Sequence, residues 1–418
     1  MMRVDSNLGL ITAVIVMLTG VALGVYPAAA QERTEPQPTF QVKLDVVKQE
    51  LSPEFCWFHP RVAAVPGLGR DNLPAVIMTL QKHLVASDHY SGLWMMRTDD
   101  LGKTWTGPTE IPELVWVKEP GDQVMAVADV TPGWHPQTGK LLAIGCTVHY
   151  DRRGRELSDR PRFSQTAYAV HDPKTGGWSK WQILEMPGDE KFNLARNACS
   201  QWLVQPDGTL LVPIYFAKRS GVPMGVTVAH CEFDGQKLSY LKHGDELSLN
   251  VARGLVEPSL VAFQGRYYLT LRNDVKGYVT ASSDGLHYLP IKPWTFDDGR
   301  ELGSYNTQQH WLAHSGGLLL SYTRRGANND HIPRNRAPIF LAQVDPERLC
   351  VIRQTERPII PERGAMLGNF GAAAVTASES WVTDAEYMMG SRPNTRGANG
   401  SVFAARVIWS TPNGLAPR

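Results

Sequence analysis

The chain has 418 residues, a formal net charge of +1 and 43% hydrophobic residues. This length suffices for one large domain or two to three ordinary ones, and the near-neutral charge argues against a nucleic-acid-binding protein, which would carry a basic excess. With 37 glycines, 29 prolines and no low-complexity run, the composition favours a turn-rich, folded, all-β protein over a disordered one.

The chain begins with an apolar segment from Leu8 to Val25, which follows Arg3 and precedes Ala28-Ala29-Ala30. This pattern predicts a signal peptide over residues 1–30, cleaved after Ala30. Because the apolar run is near spanning length, an uncleaved membrane anchor is the alternative. We therefore expect a secreted or periplasmic protein with no membrane association beyond the export signal.

Residues 31–38 form a polar stretch that predicts a flexible lead, and no later linker divides residues 39–418, which predicts a single domain. The number of cysteines is odd, their spacings are wide and no C-x-x-C motif occurs, so small buried side chains are favoured over disulfides. They are Cys56, Cys146, Cys199, Cys231 and Cys350.

Short β-rich runs punctuated by Gly, Asp, Asn and Pro recur along the chain at intervals of about 50 to 70 residues. Six similar units of three to four strands predict a six-bladed β-propeller, with a two-sheet sandwich as the alternative. The apolar runs begin at Leu73, Lys140, Thr209, Arg266, Gly317 and Ser380. Residues 40–47 are expected to supply the outer strand of the last blade, which would remove an exposed edge.

One turn, from Thr98 to Trp105, fits the pattern [S/T]-x-D-x-G-x-T-W at every specified position. The Asp accepts backbone N–H groups, Gly permits a positive φ and the Trp packs between sheets. A shorter variant lies at Ser282–Tyr288, and a degraded one at Asp172–Trp178. These are interpreted as folding turns, not as catalytic sites.

With these Asp-box (BNR-repeat) turns and six units, the chain resembles the sialidase (neuraminidase) superfamily of six-bladed propellers. The resemblance implies an exo-acting glycoside hydrolase of carbohydrate metabolism. It also implies that the functional face carries the starts of the innermost strands and the loops after the second strands.

The family's motifs carry specific residues over to this chain. Arg61, in His59-Pro60-Arg61, stands where the first carboxylate-binding arginine is expected, and Asp88 stands where the acid/base aspartate is expected. Glu257, followed one strand later by Arg272, reproduces the family's base and second arginine.

The match weakens in the last two units. Phe370 stands where the family has its tyrosine nucleophile, so Tyr305 is predicted as a displaced nucleophile, with Tyr387 as another choice. The segment from Tyr322 to Pro338 is rich in arginine and is expected to supply the third cation. Its candidate binding residues are Arg324, Arg325, Arg334, Arg336 and His331, with Gln309 at the start of the same unit.

Several His and Tyr residues follow the second strands of the first three units and are expected to ring the same face. Those assigned to substrate binding are His83, His149 and Tyr215, with His89 and Tyr150 beside them. No metal-ligand spacing or cofactor motif occurs, so neither a metal nor a cofactor is expected.

The sequence thus favours a monomeric hydrolase that acts on a terminal acidic sugar of a glycan. A polysaccharide lyase would instead pair His with Tyr near an arginine, with carboxylates at the periphery. A non-catalytic glycan-binding propeller would show no converging acid–base pair.

Overall fold

The computed structural model describes residues 38–85, 88–157, 164–219 and 221–417. The predicted signal peptide and residues 31–37 of the predicted lead lie outside this part of the chain. Within it, the fold is all-β with a β-propeller arrangement, and the only helices are short 3₁₀ turns. These turns are Arg70–Asn72, Pro112–Leu114, Glu190–Phe192, Pro333–Asn335 and Arg353–Thr355. No helix in the described ranges has the length and apolar character needed to cross a bilayer.

The first half of the described chain contains sixteen strands, most of which pair antiparallel with a neighbour in sequence. They are β1 (Phe40–Gln49), β2 (Phe55–Val65), β3 (Ala75–Leu84), β4 (Tyr90–Thr98), β5 (Thr106–Glu110), β6 (Val117–Glu119), β7 (Gln123–His135), β8 (Lys140–Tyr150), β9 (Ser164–Asp172), β10 (Gly177–Trp178), β11 (Gln182–Ile183), β12 (Leu194–Arg196), β13 (Leu203–Val204), β14 (Leu210–Ala217), β15 (Gly225–Phe233) and β16 (Leu238–His243).

The second half continues in the same way. Its strands are β17 (Val256–Phe263), β18 (Arg266–Arg272), β19 (Tyr278–Ser282), β20 (Lys292–Pro293), β21 (His310–His314), β22 (Gly317–Tyr322), β23 (Ile339–Asp345), β24 (Cys350–Val351), β25 (Arg357–Ile360), β26 (Gly371–Thr376), β27 (Glu379–Ala385) and β28 (Ser401–Trp409).

Hydrogen bonding joins these strands into five sheets within the described residues. Four of them are β2–β5, β17–β20, β21–β25 and the sheet in the order β1-β28-β27-β26, and the fifth contains the eleven strands β6–β16. In this largest sheet, β6–β11 and β12–β16 meet through one short parallel contact between β9 and β12, in which Leu194 pairs with Ser164 and Ala195 with Gln165. All other strand pairs in the five sheets are antiparallel.

Strand β1 completes the last sheet, as residues 40–47 were expected to do. It pairs antiparallel with β28, from Phe40 opposite Trp409 to Gln49 opposite Ser401. Phe40 and Val42 pack against buried apolar residues, while Lys43 and Asp45 form an ion pair of 3.2 Å. Charged side chains suit an edge strand, because they discourage further pairing.

Strands β2, β3 and β8 are buried on both faces. All residues of β2 except Phe55 are buried, and nearly all of β3 and β8 are buried as well. Their apolar residues form clusters between adjacent sheets, and Trp381 of β27, which is fully buried, packs against β2 and β3. Burial on both faces explains the continuous apolar runs in the sequence.

The Thr98–Trp105 turn is held by the carboxylate of Asp100. Asp100 Oδ1 accepts the Thr104 backbone N–H at 2.8 Å and the Thr98 hydroxyl at 2.9 Å, and Gly102 has a φ of +77°. Hydrogen bonds from Thr104 lower the pKa of Asp100 to about 2. The centroid of the Trp105 ring lies 6.0 Å from that of the Trp381 ring. The turn therefore connects the sheet β2–β5 with the sheet that contains β27.

A buried carboxyl group, Asp384 of β27, holds the loop that precedes β26. Its Oδ2 accepts the Gly368 N–H at 2.7 Å and its Oδ1 accepts the Ala385 N–H at 2.8 Å. Burial raises the pKa of Asp384 to about 7, although the backbone hydrogen bonds act in the opposite direction. The side chain is therefore protonated in the folded protein at mildly acidic pH.

We expect Asp384→Asn to change how the stability of the protein depends on pH. The pKa is raised on folding, so the stabilisation from Asp384 is complete below the unfolded-state pKa near 4 and is lost as pH rises through about 7. The excess of the wild-type free energy of unfolding over that of the variant should therefore shrink from pH 4 to pH 7, as measured by urea denaturation. The exposed carboxylate variant Asp122→Asn serves as the control, and a wild-type excess that grows with pH would contradict the prediction.

Candidate functional site

Four residues at the axis share an unusual backbone conformation. His59, Asp129, Cys199 and Glu257 have φ values between 45° and 58°, in the left-handed region that non-glycine residues seldom adopt. The strand register shifts at three of these positions, between Phe58 and Arg61 and at the corresponding points of β7 and β17. Such bulges re-aim side chains, and strained backbone of this kind clusters at functional sites.

All four of these residues line one cavity of about 610 Å³. Its wall combines carboxylates, arginines, histidines and tyrosines, a mixture that suits a polar, charged ligand. The charged and polar lining residues are His59, His83, Asp88, Tyr90, Asp129, Glu156, Arg196, Cys199, Tyr215, Arg253, Glu257, Arg272, Asp274, Asn306, Arg334, Arg336, Asn369 and Tyr387.

Asp88 lies in the cavity wall, on the loop between β3 and β4. The Tyr90 hydroxyl donates to Asp88 Oδ1 at 3.1 Å, and the Tyr150 hydroxyl donates to the Asp88 carbonyl oxygen at 2.8 Å. The Asp88 side chain is exposed, and its backbone φ is 49°. Two tyrosines thus fix the position of a carboxylate that remains open to the cavity.

Glu257 and Arg272 form an ion pair through Arg272 Nη1 and Glu257 Oε1, and their side chains are only 12% and 7% exposed. Arg272 Nη2 donates to Asn306 Oδ1 at 2.6 Å. The second carboxylate oxygen, Glu257 Oε2, is buried and accepts no hydrogen bond from any described residue. One oxygen of this carboxylate is therefore positioned by arginine, while the other is left as an acceptor.

Two further arginines reach the cavity from the loop between β22 and β23. Arg336 is buried and donates to the Asn306 carbonyl oxygen from Nε at 3.2 Å and from Nη2 at 2.5 Å. Burial and the nearby charge of Arg272 lower the pKa of Arg336 to about 9. Arg334 also lines the cavity and lies in a 3₁₀ turn with a φ of 58°. An anion in the cavity would relieve this crowding of positive charge.

Arg196, which the sequence interpretation missed, lies at the end of β12 beside Tyr215. Its Nε and Nη2 atoms are buried and have no hydrogen-bond partner among the described residues. Burial raises the pKa of Tyr215, so the phenol is protonated. His59, Asp129 and Cys199 follow one another at intervals of seventy positions, and Arg196 lies three positions before Cys199. This regular interval is the one signal in the sequence that points to Arg196.

His59, Asp129 and Cys199 form a compact polar cluster in the wall. His59 Nε2 lies 2.9 Å from Asp129 Oδ1, and Cys199 Sγ donates to the same oxygen at 3.2 Å. Burial opposes the ionisation of Asp129, but His59 and Arg61 hold the pKa of that carboxyl well below its usual range. Burial lowers the pKa of His59 despite the attraction of Asp129.

Arg61, predicted to hold a substrate carboxylate, does not line this cavity. Its side chain is buried and donates to the Phe370 and Val130 carbonyl oxygens and to Cys199 Sγ, at 3.4, 3.2 and 3.1 Å. It lines a separate cavity of about 430 Å³. The positive φ of His59, two residues earlier, marks the bulge at which the strand turns the His59 side chain toward the first cavity.

Three other predicted residues also lie off the cavity wall. The Tyr305 hydroxyl donates to Asn335 Oδ1 at 2.7 Å, and the Arg325 guanidinium stacks 4.1 Å from the Tyr305 ring centroid. Arg324 is paired with Glu356 at 2.6 Å. Because these side chains already have partners, the arginine-rich loop delivers Arg334 and Arg336 to the cavity and not Arg324 or Arg325.

Gln309, His149 and His331 are likewise engaged away from the cavity. Gln309 is buried, accepting the Thr270 hydroxyl at 3.0 Å and donating to the Thr307 carbonyl. His149 pairs with Glu119 at 2.8 Å and His331 with Glu362 at 3.2 Å.

His83 and Tyr215 do line the cavity, as the sequence predicts for residues that follow second strands. The His83 ring meets Tyr387 edge-on at 4.9 Å and Tyr90 at 5.3 Å. Burial lowers the pKa of His83 to about 4, so the imidazole is neutral at pH 7.

Comparison with known proteins finds similarity in structure only. No protein-family model and no curated protein matches the sequence. A protein of unknown function from Dyadobacter fermentans superposes with a TM-score of 0.59 and 16% identity, over 87% of this chain and 99% of that one. The NanB sialidase from Streptococcus pneumoniae gives 0.57 and 11%, over 88% and 70%. Trypanosoma rangeli sialidase in complex with sialic acid gives 0.52 and 14%, over 86% and 55%. At these identities, the chain has a sialidase-like propeller fold.

The charge distribution of the cavity predicts anion binding. Arg336→Met should weaken the binding of glucuronate by about 10- to 100-fold, because a charge-assisted hydrogen bond is worth roughly 1.5–3 kcal/mol. Isothermal titration calorimetry provides the measurement, and glucose, which lacks the carboxylate, should not bind detectably.

Arg325→Met is the matched control, since Arg325 lies on the same loop but off the cavity wall. Equal losses of affinity in the two variants, or unchanged affinity in Arg336→Met, would show that the arginines of the cavity do not bind the anion.

Proposed function

We propose that this protein is a sialidase-like glycoside hydrolase that acts on a terminal acidic sugar of a glycan. The observation that carries this proposal is the convergence, in one cavity, of the carboxylates of Asp88 and Glu257 with the guanidinium groups of Arg196, Arg272 and Arg336. Acid–base chemistry needs the first pair, and recognition of a carboxylate needs the second set.

The state of the arginines supports an anionic substrate. Arg272 is paired with Glu257, but neither Arg196 nor Arg336 has an acidic partner within hydrogen-bonding distance in the described ranges. Buried guanidinium groups without counter-ions are costly, and a substrate carboxylate would offset that cost. A neutral sugar would leave the cost in place.

In this proposal Asp88 is the general acid. It is exposed to the cavity and oriented by Tyr90, so it protonates the oxygen of the leaving group. Glu257 is the base, because its Oε2 is an acceptor with no other partner and Arg272 holds its other oxygen. Arg196 and Arg336, in the wall of the same cavity, bind the carboxylate of the sugar.

The nucleophile in this proposal is water. Phe370 stands where a tyrosine would be expected from the resemblance, and its ring is fully buried against His310 at 5.0 Å. A water activated by Glu257 needs no phenol in that position, and direct attack by water inverts the anomeric centre. A net retention of configuration would instead indicate a covalent intermediate on a nucleophile of the cavity wall, either a carboxylate or a tyrosine such as Tyr215.

The two alternatives that the sequence left open are less well supported. A lyase would place a His–Tyr pair near an arginine and leave the carboxylates at the periphery. The His83–Tyr90 contact is present, but Asp88, Asp129 and Glu257 all lie in the cavity wall with it. A purely binding protein would need no such set of converging carboxylates.

We also propose that the fold has six blades, with the eleven-stranded sheet counting as two. Strands β6–β11 and β12–β16 each contain a set of antiparallel strands, and in the described residues the strand pairing between the two sets consists of two residue pairs. The left-handed residues Asp129, within β7, and Cys199, in the segment after β12, support this division because each set contains one of them. The turn at Asp100 then corresponds to an Asp-box, with its carboxylate bonds in the family's pattern.

We propose further that the protein acts as a monomer, secreted or periplasmic after cleavage of residues 1–30.

The hydrolase proposal predicts that Asp88→Asn and Glu257→Gln each lower kcat by about 10²- to 10⁴-fold, since each removes a proton-transfer group. The assay measures reducing ends released from sialosides and from uronate-containing oligosaccharides, with absorbance near 235 nm recorded in parallel. Asp99→Asn, a surface carboxylate in the turn at Thr98–Trp105, should keep full activity.

Nuclear magnetic resonance of the first-formed product anomer tests the role of water. An absorbance near 235 nm that grows during the reaction would identify an unsaturated uronate and therefore a lyase. The absence of both products over the panel would exclude the hydrolase on these substrates and favour glycan binding alone.

A further inference from the structure

The cluster of His59, Asp129 and Cys199 offers one imidazole nitrogen, one carboxylate oxygen and one sulfur atom. These three ligand atoms all lie within 4.8 Å of one another. From these contacts we infer that the cluster is a binding site for a divalent transition metal, of which Zn²⁺ is the representative. No local sequence pattern predicts this site, because its three residues are seventy positions apart and come from three different units of the chain.

The ligand types fit zinc and its neighbours. Zinc is bound by imidazole at about 2.0–2.1 Å, by carboxylate at about 2.0–2.2 Å and by thiolate at about 2.3 Å. In a tetrahedral site the ligand atoms are then roughly 3.3–3.7 Å apart. Two of the distances, 2.9 Å from His59 Nε2 to Asp129 Oδ1 and 3.2 Å from Cys199 Sγ to the same oxygen, are within a few tenths of an ångström of this range.

The backbone preorganises the cluster. All three residues have left-handed φ values, which cost energy for non-glycine residues, and the Cys199 N–H donates to the Asp129 carbonyl oxygen at 3.2 Å. The three side chains are therefore brought to one point by the backbone of β2, of β7 and of the segment that follows β12. Sites on such rigid elements hold ligands in place without a large entropic cost.

Charge balance decides which ligands the metal would accept. Cys199 Sγ donates its proton to Asp129 Oδ1 and accepts a hydrogen bond from Arg61 Nη2 at 3.1 Å. A bound metal would displace that proton and leave a thiolate beside the fixed positive charge of Arg61. The thiolate and the Asp129 carboxylate supply two negative charges against the one guanidinium, so a divalent ion leaves an excess of one positive charge. An anion in the remaining coordination position would cancel it.

That remaining position faces the cavity, because His59, Asp129 and Cys199 all line its wall. Three protein ligands with one open position is the arrangement of catalytic zinc sites, whereas structural sites use four protein ligands. The metal site itself does not depend on the hydrolase proposal. Only the further step, in which the metal would contact the carboxylate of an acidic sugar where Arg61 does not reach, rests on the proposed function.

The test measures metal binding without any glycan. The full mature chain is stripped with a chelator, incubated with Zn²⁺, desalted and analysed by plasma mass spectrometry, and we expect one zinc per chain. Co²⁺ should give a thiolate-to-cobalt absorption band in the near ultraviolet. In Cys199→Ser the band should disappear and zinc affinity should fall at least tenfold, while Cys350→Ser, a buried cysteine in another sheet, should match the wild type.

Asp129→Asn provides a second variant in case Cys199→Ser does not fold, and circular dichroism of each variant establishes that the sheets are intact. Substoichiometric zinc in the wild type, or an unchanged cobalt band in Cys199→Ser, would overturn the proposal and identify the cluster as a hydrogen-bonded network. Because no substrate is used, a failed glycosidase assay and a failed metal assay are independent results.

Discussion

The left-handed bulges at the start of the inner strands are the constraint on which the rest of the site depends. A regular strand alternates its side chains, so it would direct only every second residue toward the axis. At His59, Asp129 and Glu257 the register shift breaks this alternation and turns a polar side chain into the cavity. The neighbouring sheets stabilise the strain by packing against these strands, most completely at β2, in which every residue except Phe55 is buried.

The bulges also explain which charges are available for chemistry. Arg61, two residues beyond His59, is directed away from the cavity and donates to carbonyl groups and to a sulfur atom. Arg272, at the end of a second strand, extends into the cavity and pairs with Glu257. The arginines of the cavity wall thus lie at the ends of strands and in loops. The inner strands and the segment after β12 contribute the carboxylates, an imidazole and a thiol.

Much of the fold was predictable from local patterns, because turns and apolar runs are written in consecutive residues. The closing strand at residues 40–47, the Asp100 turn and the positions of Asp88, Glu257, Arg272 and Arg336 in one cavity follow from such patterns and from the resemblance. The orientation of Arg61 did not, since it depends on a bulge that no single residue type encodes. Arg196 and the His59–Asp129–Cys199 cluster escaped notice because their proximity arises from the closure of the sheets around an axis.

The pairing of β1 with β28 has a consequence for how the molecule reaches its final form. The Thr39 hydroxyl donates to the Ser410 hydroxyl across a sequence separation of 371 residues. Contacts of such separation form late and slowly, because a very long loop must close before they are made. The ring therefore cannot be completed until the last strand has left the ribosome.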